Sequence, residues 1–267
     1  MNQSLKVSKL LDLDDETSKR VLDQTAKILL AHDLSYTPPQ IAKEIYRSIS
    51  DITGLEDPVA LAKERATIEA MRIDTSFVRS IKDAIKLSAI GNVIDFGAQN
   101  EFDLQETIER HFDSSFAIDE SNAFLHSLSS AKELVILGDN TGEHIFDKLL
   151  IEMILEEYNL KVYYFVRGVP IINDVTPREA EILSEVAEVI DTGVQTPGYD
   201  LLEANRRSRE IFDRADLILS KGMGNFESLY LQAEREIYFL FIVKCNVVAE
   251  AIGKEVKDMI FKKDPPS

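Results

Sequence analysis

Asp139 and Asn140 directly follow an apolar run over 133–138, and Asp174 follows a second such run at 161–166. Two carboxylates and an amide carbonyl are hard oxygen donors, the set that Mg²⁺ or Mn²⁺ prefers. A third run, Asp216–Ser220, leads into Lys221-Gly222-Met223-Gly224-Asn225, a cation followed by flexible backbone suited to phosphate. Each group stands just past a predicted buried strand. In open α/β sheets, ligands bind at the carboxyl ends of strands. A metal held by oxygen ligands beside a phosphate grip is therefore the chemistry these residues support best.

Each residue also has a purely structural reading. Asp139 could cap the helix that follows it, and Asp174 with Asn173 could do the same, although Thr176 is the better cap there. Convergence tips the balance, because polar groups occur at corresponding places on three separate strand–helix units. Glu143 could be an acceptor beside Asp139, but it reads first as an exposed first-turn acid. Asp147, four residues on, reads as a solvated surface acid, and His144 as a helix residue rather than a ligand. Asn92 and Asp95, at a further strand end, are expected to buttress the site.

These motifs need a sheet to position them. The first ~90 residues carry only helical patterns. Thr37-Pro38-Pro39-Gln40 combines a cap, a first-turn proline and a capping-box glutamine, and Ile41, Ile45 and Ile49 then form a stripe. Asp57-Pro58 opens another helix. A further one carries Phe77, Val78, Ile81 and Ile85 on one face, with Gly91 as its stop. Short apolar runs follow at 92–95, 133–137, 161–166, 187–190, 216–219, 237–243 and 256–261, with helical patterns between most of them. The helix after Asp174 is expected to begin at Thr176-Pro177-Arg178-Glu179. Alternating strand and helix predicts a three-layer αβα domain with a mostly parallel sheet over 92–267, preceded by an all-helical domain over 1–91.

Bulk properties bound the partners. The 267 residues are long enough for a substantial core, with 45% hydrophobic and 29% charged side chains. Thirty basic and 47 acidic residues give a formal charge of −17, which repels phosphodiester backbones and argues against a nucleic-acid polymer. A small phosphate ester held by a metal remains compatible with that charge. Four histidines and a lone Cys245 exclude an internal disulfide and make a zinc cluster improbable; Cys245 reads as an inert core thiol. The chain shows no signal peptide and no apolar run of about 18 residues, so a soluble cytoplasmic protein is expected.

The blocks GDNTGEHIFDKLLIE (138–152), VRGVPIINDVT (166–176) and SKGMGNFES (220–228) resemble the metal-dependent damage-control phosphatases, formerly domain of unknown function 89. GNVIDFGAQN (91–100) and FIVKCNVVAEAIG (241–253) are similar as well, so the resemblance spans most of the chain. It implies that Asp139, Asn140 and Asp174 hold the divalent metal (Mn²⁺, Mg²⁺, Co²⁺ or Ni²⁺). It also implies that Lys221, Gly222, Met223, Gly224, Asn225 and Lys244 contact a small phosphorylated metabolite, such as a sugar phosphate or a damaged nucleotide. The Lys-Gly-Met-Gly-Asn block looks like the signature of one subfamily. Many prokaryotic relatives begin with Cys-x-x-Cys, which MNQSLKVSKL lacks.

Two other classes are compatible with parts of the sequence. VIDFGAQN (93–100) partly resembles the first-strand motif of S-adenosylmethionine-dependent methyltransferases, but only Gly97 stands where Gly-x-Gly is wanted. A noncatalytic regulator could bind a nucleotide through the 221–225 loop, and would show binding without turnover.

Overall fold

The computed structural model describes residues 1–33, 35–92 and 101–265, and of residues 101–103 the backbone alone. Five helices come first: α1 (Asn2–Leu10), α2 (Asp15–Ala31), α3 (Pro38–Thr53), α4 (Ala60–Met71) and α5 (Ile81–Gly91). The Gln40 side chain accepts from the Thr37 N–H at 3.0 Å, which closes the expected capping interaction of α3. Asp14 caps α2 in the same manner, accepting from the Thr17 N–H at 2.7 Å. Val7, Val21, Ile28, Ile45, Tyr46 and Ile49 form a small helical core, joined by Ile171 from the segment that carries Asp174. That contact fixes the helical layer over the loop after the second predicted strand.

The rest alternates strand and helix. It comprises α6 (Glu101–Phe112), β1 (Ile118–Asp119), α7 (Ser121–Leu128), β2 (Glu133–Leu137), α8 (Glu143–Glu157), β3 (Lys161–Val166) and β4 (Glu188–Asp191). Then come α9 (Arg206–Arg214), β5 (Leu217–Lys221), α10 (Gly222–Leu229), β6 (Ile237–Ile242), α11 (Asn246–Ile252) and β7 (Met259–Asp264). The seven described strands form one sheet in the order β1-β7-β6-β5-β2-β3-β4. All pairs are parallel except β6–β7. As expected, β2 lies between β3 and β5, with Leu137 level with both Phe165 and Ser220. The chain runs β2-β3-β4 outward on one side and returns to place β5-β6 on the other. The boundary between β2 and β5 is thus a topological switch point, where crossovers leave in opposite directions; in open α/β sheets ligands bind outside the carboxyl ends of such strands.

Alternation along β2 divides the core. Leu134 and Ile136 face α5, α7 and α8, whereas Val135 and Leu137 face α9, α10 and α11. Helix α5 ends at Gly91, the last residue of the expected helical domain. That helix packs on α8 and contributes Ile81, Ala84, Ile85 and Leu87 to the core beneath the sheet.

Several local expectations change. Phe77 and Val78 precede α5 rather than lying in it, because Ser80 caps the helix by accepting from the Asp83 N–H. Gly91 is the last residue of α5 and not a left-handed stop. A Cβ there would lie 2.8 Å from the Phe146 ring and 3.2 Å from the Glu143 Cα, so the glycine permits close approach of α5 and α8. The segment after Asp174 forms a 3-10 helix over Glu179–Glu185 instead of an α-helix, with Glu179 accepting from both the Thr176 N–H and hydroxyl. The last strand is Met259–Asp264 rather than 256–261, and the two-residue β1 has no counterpart in the apolar runs. The expected strand at 92–95 falls, beyond Asn92, outside the described residues, as do Asp95 and Gly97.

Gly91→Ala is expected to lower stability by about 1–3 kcal/mol through overpacking between α5 and α8, despite alanine's better helix propensity. Urea unfolding checks this, and an unchanged midpoint would mean the helices can part without cost.

Candidate functional site

A two-rung ladder brings the acids together. The Val175 N–H donates to the Asp139 carbonyl and the Thr141 N–H to the Asn173 carbonyl, each at 2.8 Å, forming an antiparallel bridge between Asn140 and Asp174. Residues 34 positions apart thereby meet at the ends of β2 and β3. Ile172, two residues before Asp174, has φ 49°. A β-branched side chain is strained there, and the neighbouring Ile171, buried in the helical core, anchors the turn.

Both carboxylates are buried. The Asp139 Oδ2 accepts from Asn92 Nδ2 at 2.5 Å and from Asn140 Nδ2 at 2.8 Å. Burial pushes the Asp139 carboxyl up to about 6; the Asp174 charge adds to this, while Lys244 and Arg167 oppose it. Asp174 is likewise raised by burial, against the charge and hydrogen bond of Arg167 and the charge of Lys63. Two like charges sharing a site with little water are unstable until a cation joins them. Together with the Asn140 amide they form the hard-oxygen donor set that suits a divalent metal. Among the described residues no group of three His, Cys, Asp or Glu forms a metal-holding set; a metal here would take the two acids and the Asn140 amide.

Lys221 occupies a different place from the one expected. It is 0% exposed, and its Nζ donates to Glu143 at 2.5 Å and Asp147 at 2.6 Å, with the Ser88 carbonyl at 3.4 Å. Glu143 and Asp147, expected at the surface, are therefore buried acids. They lie on the face of α8 that packs against α5, and each is a partner of one ammonium. Burial alone would push Lys221 down, but the charges of Asp147 and Glu143 hold it at about 12. Burial still pushes Glu143 up to about 7, with Lys221 opposing and Asp147 adding. Asp147 also accepts from the Ser88 hydroxyl at 2.6 Å and the Tyr164 hydroxyl at 2.7 Å. Asn92 joins this cluster to the first, donating to Glu143 at 2.8 Å as well as to Asp139. It thus buttresses the site as expected. His144, buried and pushed down to about 4 by burial, accepts from the Gly142 N–H and belongs to the helix start.

The glycines serve the acids more than open space. Gly222 has φ 77°, and a Cβ there would stand 1.9 Å from the Asp139 Oδ2. A Cβ at Gly224 would stand 2.0 Å from the Pro197 carbonyl. Gly222 therefore lets the start of α10 pass directly against Asp139, which aims a helix N-terminus and its partial positive charge at the crevice. Met223 is half-buried, and its sulfur accepts from the Lys244 N–H at 3.4 Å, tying the end of β6 to α10. The Lys244 side chain is exposed at this rim. Asn225 is fully buried and stitches the strand ends together, donating to the Gly138 carbonyl at 3.0 Å and the Lys221 carbonyl at 2.7 Å. Cys245 is half-buried and free, at the cap of α11.

Three further residues belong to the site. Arg167, one residue past β3, is 1% exposed and donates from Nε to the Asp174 Oδ2 at 2.8 Å. Its Nη2 donates to the Asn225 Oδ1 at 3.2 Å. It sits in the VRG block as a cation directly after a strand, a signal equal to that of Lys221. Lys63 reaches in from α4, buried, with its Nζ 3.0 Å from Asp57. Glu227, half-buried on α10, is pushed up to about 7 by burial and by the Asp139 charge. Nothing in their spacing marks Lys63 or Glu227, because both arrive through tertiary packing.

Comparison with known proteins finds a family for the chain. The model of the damage-control phosphatase ARMT1-like domain matches residues 1–260. A damage-control phosphatase of Pyrococcus horikoshii is 32% identical over 259 residues, covering 94% of this chain and 90% of the relative. One from Archaeoglobus fulgidus is 33% identical over 272 residues, covering 96% and 93%. The crystal structure of a DUF89 family protein from Pyrococcus horikoshii superposes with a TM-score of 0.87 at 29% identity, covering 98% of this chain and 95% of that one. No described helix is long and apolar enough to cross a membrane.

Lys221→Met is expected to leave Glu143 and Asp147 buried without their cation and to cost about 3–5 kcal/mol. Denaturation at pH 7 measures it, and a change below 1 kcal/mol would detach Lys221 from the cluster. A second outcome concerns pH. Because the Asp139 carboxyl sits near 6 in the metal-free fold and near 3.8 when unfolded, the fold holds its proton more tightly. That contribution is full below about pH 4 and is lost as pH rises through about 6, amounting to about 3 kcal/mol. In chelator, Asp139→Asn should therefore be more stable than wild type at pH 7–8, with the gap closing towards pH 4. A pH-independent gap would show that Asp139 is not destabilised by its charge.

Proposed function

This chain belongs to the damage-control phosphatase ARMT1-like domain family, and we propose that it is a divalent-metal-dependent phosphatase of small phosphorylated metabolites. The observation that carries the reading is the meeting of Asp139, Asn140 and Asp174 at the switch point of the sheet, against the start of α10. Mn²⁺, Mg²⁺, Co²⁺ or Ni²⁺ suits these oxygens. When bound, such an ion supplies Lewis-acid stabilisation of phosphoryl charge and a site for orienting water.

The chain's own residues do the rest. Asp139 and Asp174 hold the cation from opposite sides of the ladder, and the Asn140 amide gives a neutral third donor. Fixing three donors on a hydrogen-bonded bridge orients them before substrate arrives, which lowers the reorganisation needed in the transition state. The N–H groups at the start of α10, Gly222–Asn225, face the side where phosphate oxygens would lie. Lys244 at the rim attracts the dianion and covers the outer edge of the site. Positioning and charge neutralisation are the principal needs of phosphoryl transfer, and this arrangement supplies both. The acidic surface favours a monoester of a metabolite over a polymer.

The test is phosphate release from a panel of sugar phosphates and nucleotides, after chelation and return of each metal. Metal-dependent release from at least one ester is expected. Asp174→Ala should lower it by about 10²-fold or more. Undiminished release by that variant would remove Asp174 from the metal site.

A further inference from the structure

Arg167 has more hydrogen-bonding capacity than the fold uses. Its guanidinium is buried, with Nε on Asp174, Nη2 on Asn225 and its backbone N–H on the Val175 carbonyl at 3.0 Å. Nη1 has no partner in the protein although it is shielded from solvent. A buried charged donor left unpaired is rare, because the cost of removing it from water is uncompensated. The partners the guanidinium does have are groups of the site: Asp174 on one side, and on the other Asn225, which is bonded to the ends of β2 and β5.

The balance of charge points the same way. Lys221 is neutralised twice over by Glu143 and Asp147, and its three N–H groups face those acids and the Ser88 carbonyl. It has nothing left for a ligand. Arg167 is paired with one carboxylate that the metal would also neutralise. With a divalent ion on Asp139 and Asp174, the buried Arg167 becomes an uncompensated positive charge beside them. A planar guanidinium can hold a carboxylate through Nε and still offer a second edge, which a lysine cannot do.

We infer that Arg167 serves two ligands at once: Nε–H fixes Asp174 at the metal, and Nη1–H receives an oxygen of the phosphate dianion. This rests on the phosphatase reading and adds the residue that takes the place expected of Lys221. It also makes Asn225 the brace that orients the guanidinium, not a group that touches phosphate.

The experiment uses the full chain loaded with saturating Mn²⁺. It measures inorganic phosphate as a competitive inhibitor of an accepted ester, and Mn²⁺ binding separately by calorimetry. Arg167→Lys keeps a cation against Asp174 but has no second edge. Its phosphate inhibition constant should rise at least about ten-fold, the weight of one charge-assisted hydrogen bond, while Mn²⁺ affinity stays within about three-fold. Arg167→Met should weaken both. Should the methionine variant not fold, the lysine variant decides alone. Wild-type phosphate inhibition in Arg167→Lys would overturn the inference and leave the phosphatase reading standing. Absence of metal-dependent ester hydrolysis in the wild type would instead overturn that reading itself.

Discussion

Two carboxylates buried at one point are the constraint around which this molecule is arranged. Asp139 and Asp174 are both buried, burial disfavours the charge on each, and the Asp174 charge raises Asp139 further. A fold that keeps them there must hold their backbones by other means. The ladder between 139–141 and 173–175 does so with main-chain hydrogen bonds, which are indifferent to the protonation of the side chains. The sheet order matters for the same reason. Only with β3 and β5 on either side of β2 do the Asp174 loop and the start of α10 both reach Asp139.

A second layer of charge lies directly behind the first. Lys221, Glu143, Asp147, Ser88 and Tyr164 form a buried cluster beneath the crevice, and Asn92 links it to Asp139. Buried ion pairs of this kind add little net stability, since desolvation offsets the attraction. What they give is direction. Each partner has one arrangement that satisfies it, so the Asn92 amide is fixed against Asp139 rather than free to rotate. The cluster also explains why α5 is more than a lid on the sheet: Ser88 and Asn92 come from its end, and Gly91 lets it sit close enough to contribute them.

Much of this was legible in the sequence, and the remainder failed for definable reasons. Strand runs at 133–137, 161–166 and 216–219 and the turn motifs after them located the site, because apolar runs with polar ends are local signals. Glu143 and Asp147 read as surface acids because charged residues on a first helical turn usually are. Only packing against α5 and the presence of Lys221 on a neighbouring strand make them interior. Lys221 and Arg167 present the same local sign, a cation at a strand end, and nothing in spacing tells which one faces the crevice. The difference comes from where the acids of α8 lie. Strand β1 went unseen because two residues carry no periodicity, and the 3-10 segment Glu179–Glu185 because its cap is the same as that of an α-helix.

On the proposed function, a chain with a net charge of −17 would hold a phosphate dianion because binding answers to local and not total charge. At physiological ionic strength, exposed charges are screened beyond roughly 8 Å, so the acidic surface has little reach into the crevice. Inside, screening is weak and the count is short. The ion proposed for Asp139 and Asp174 would cancel them, Lys221 is already cancelled, and Arg167, Lys244 and the start of α10 would then leave the pocket positive. Remove the ion and the same residues leave the pocket close to neutral, with two strained carboxylates. On the proposed function, affinity for phosphate is therefore conditional on the metal. The acidic exterior contributes in a different way, by disfavouring polyanions whose many phosphates would have to lie along it. The selectivity for a small ester that the proposed function calls for follows from that difference in reach.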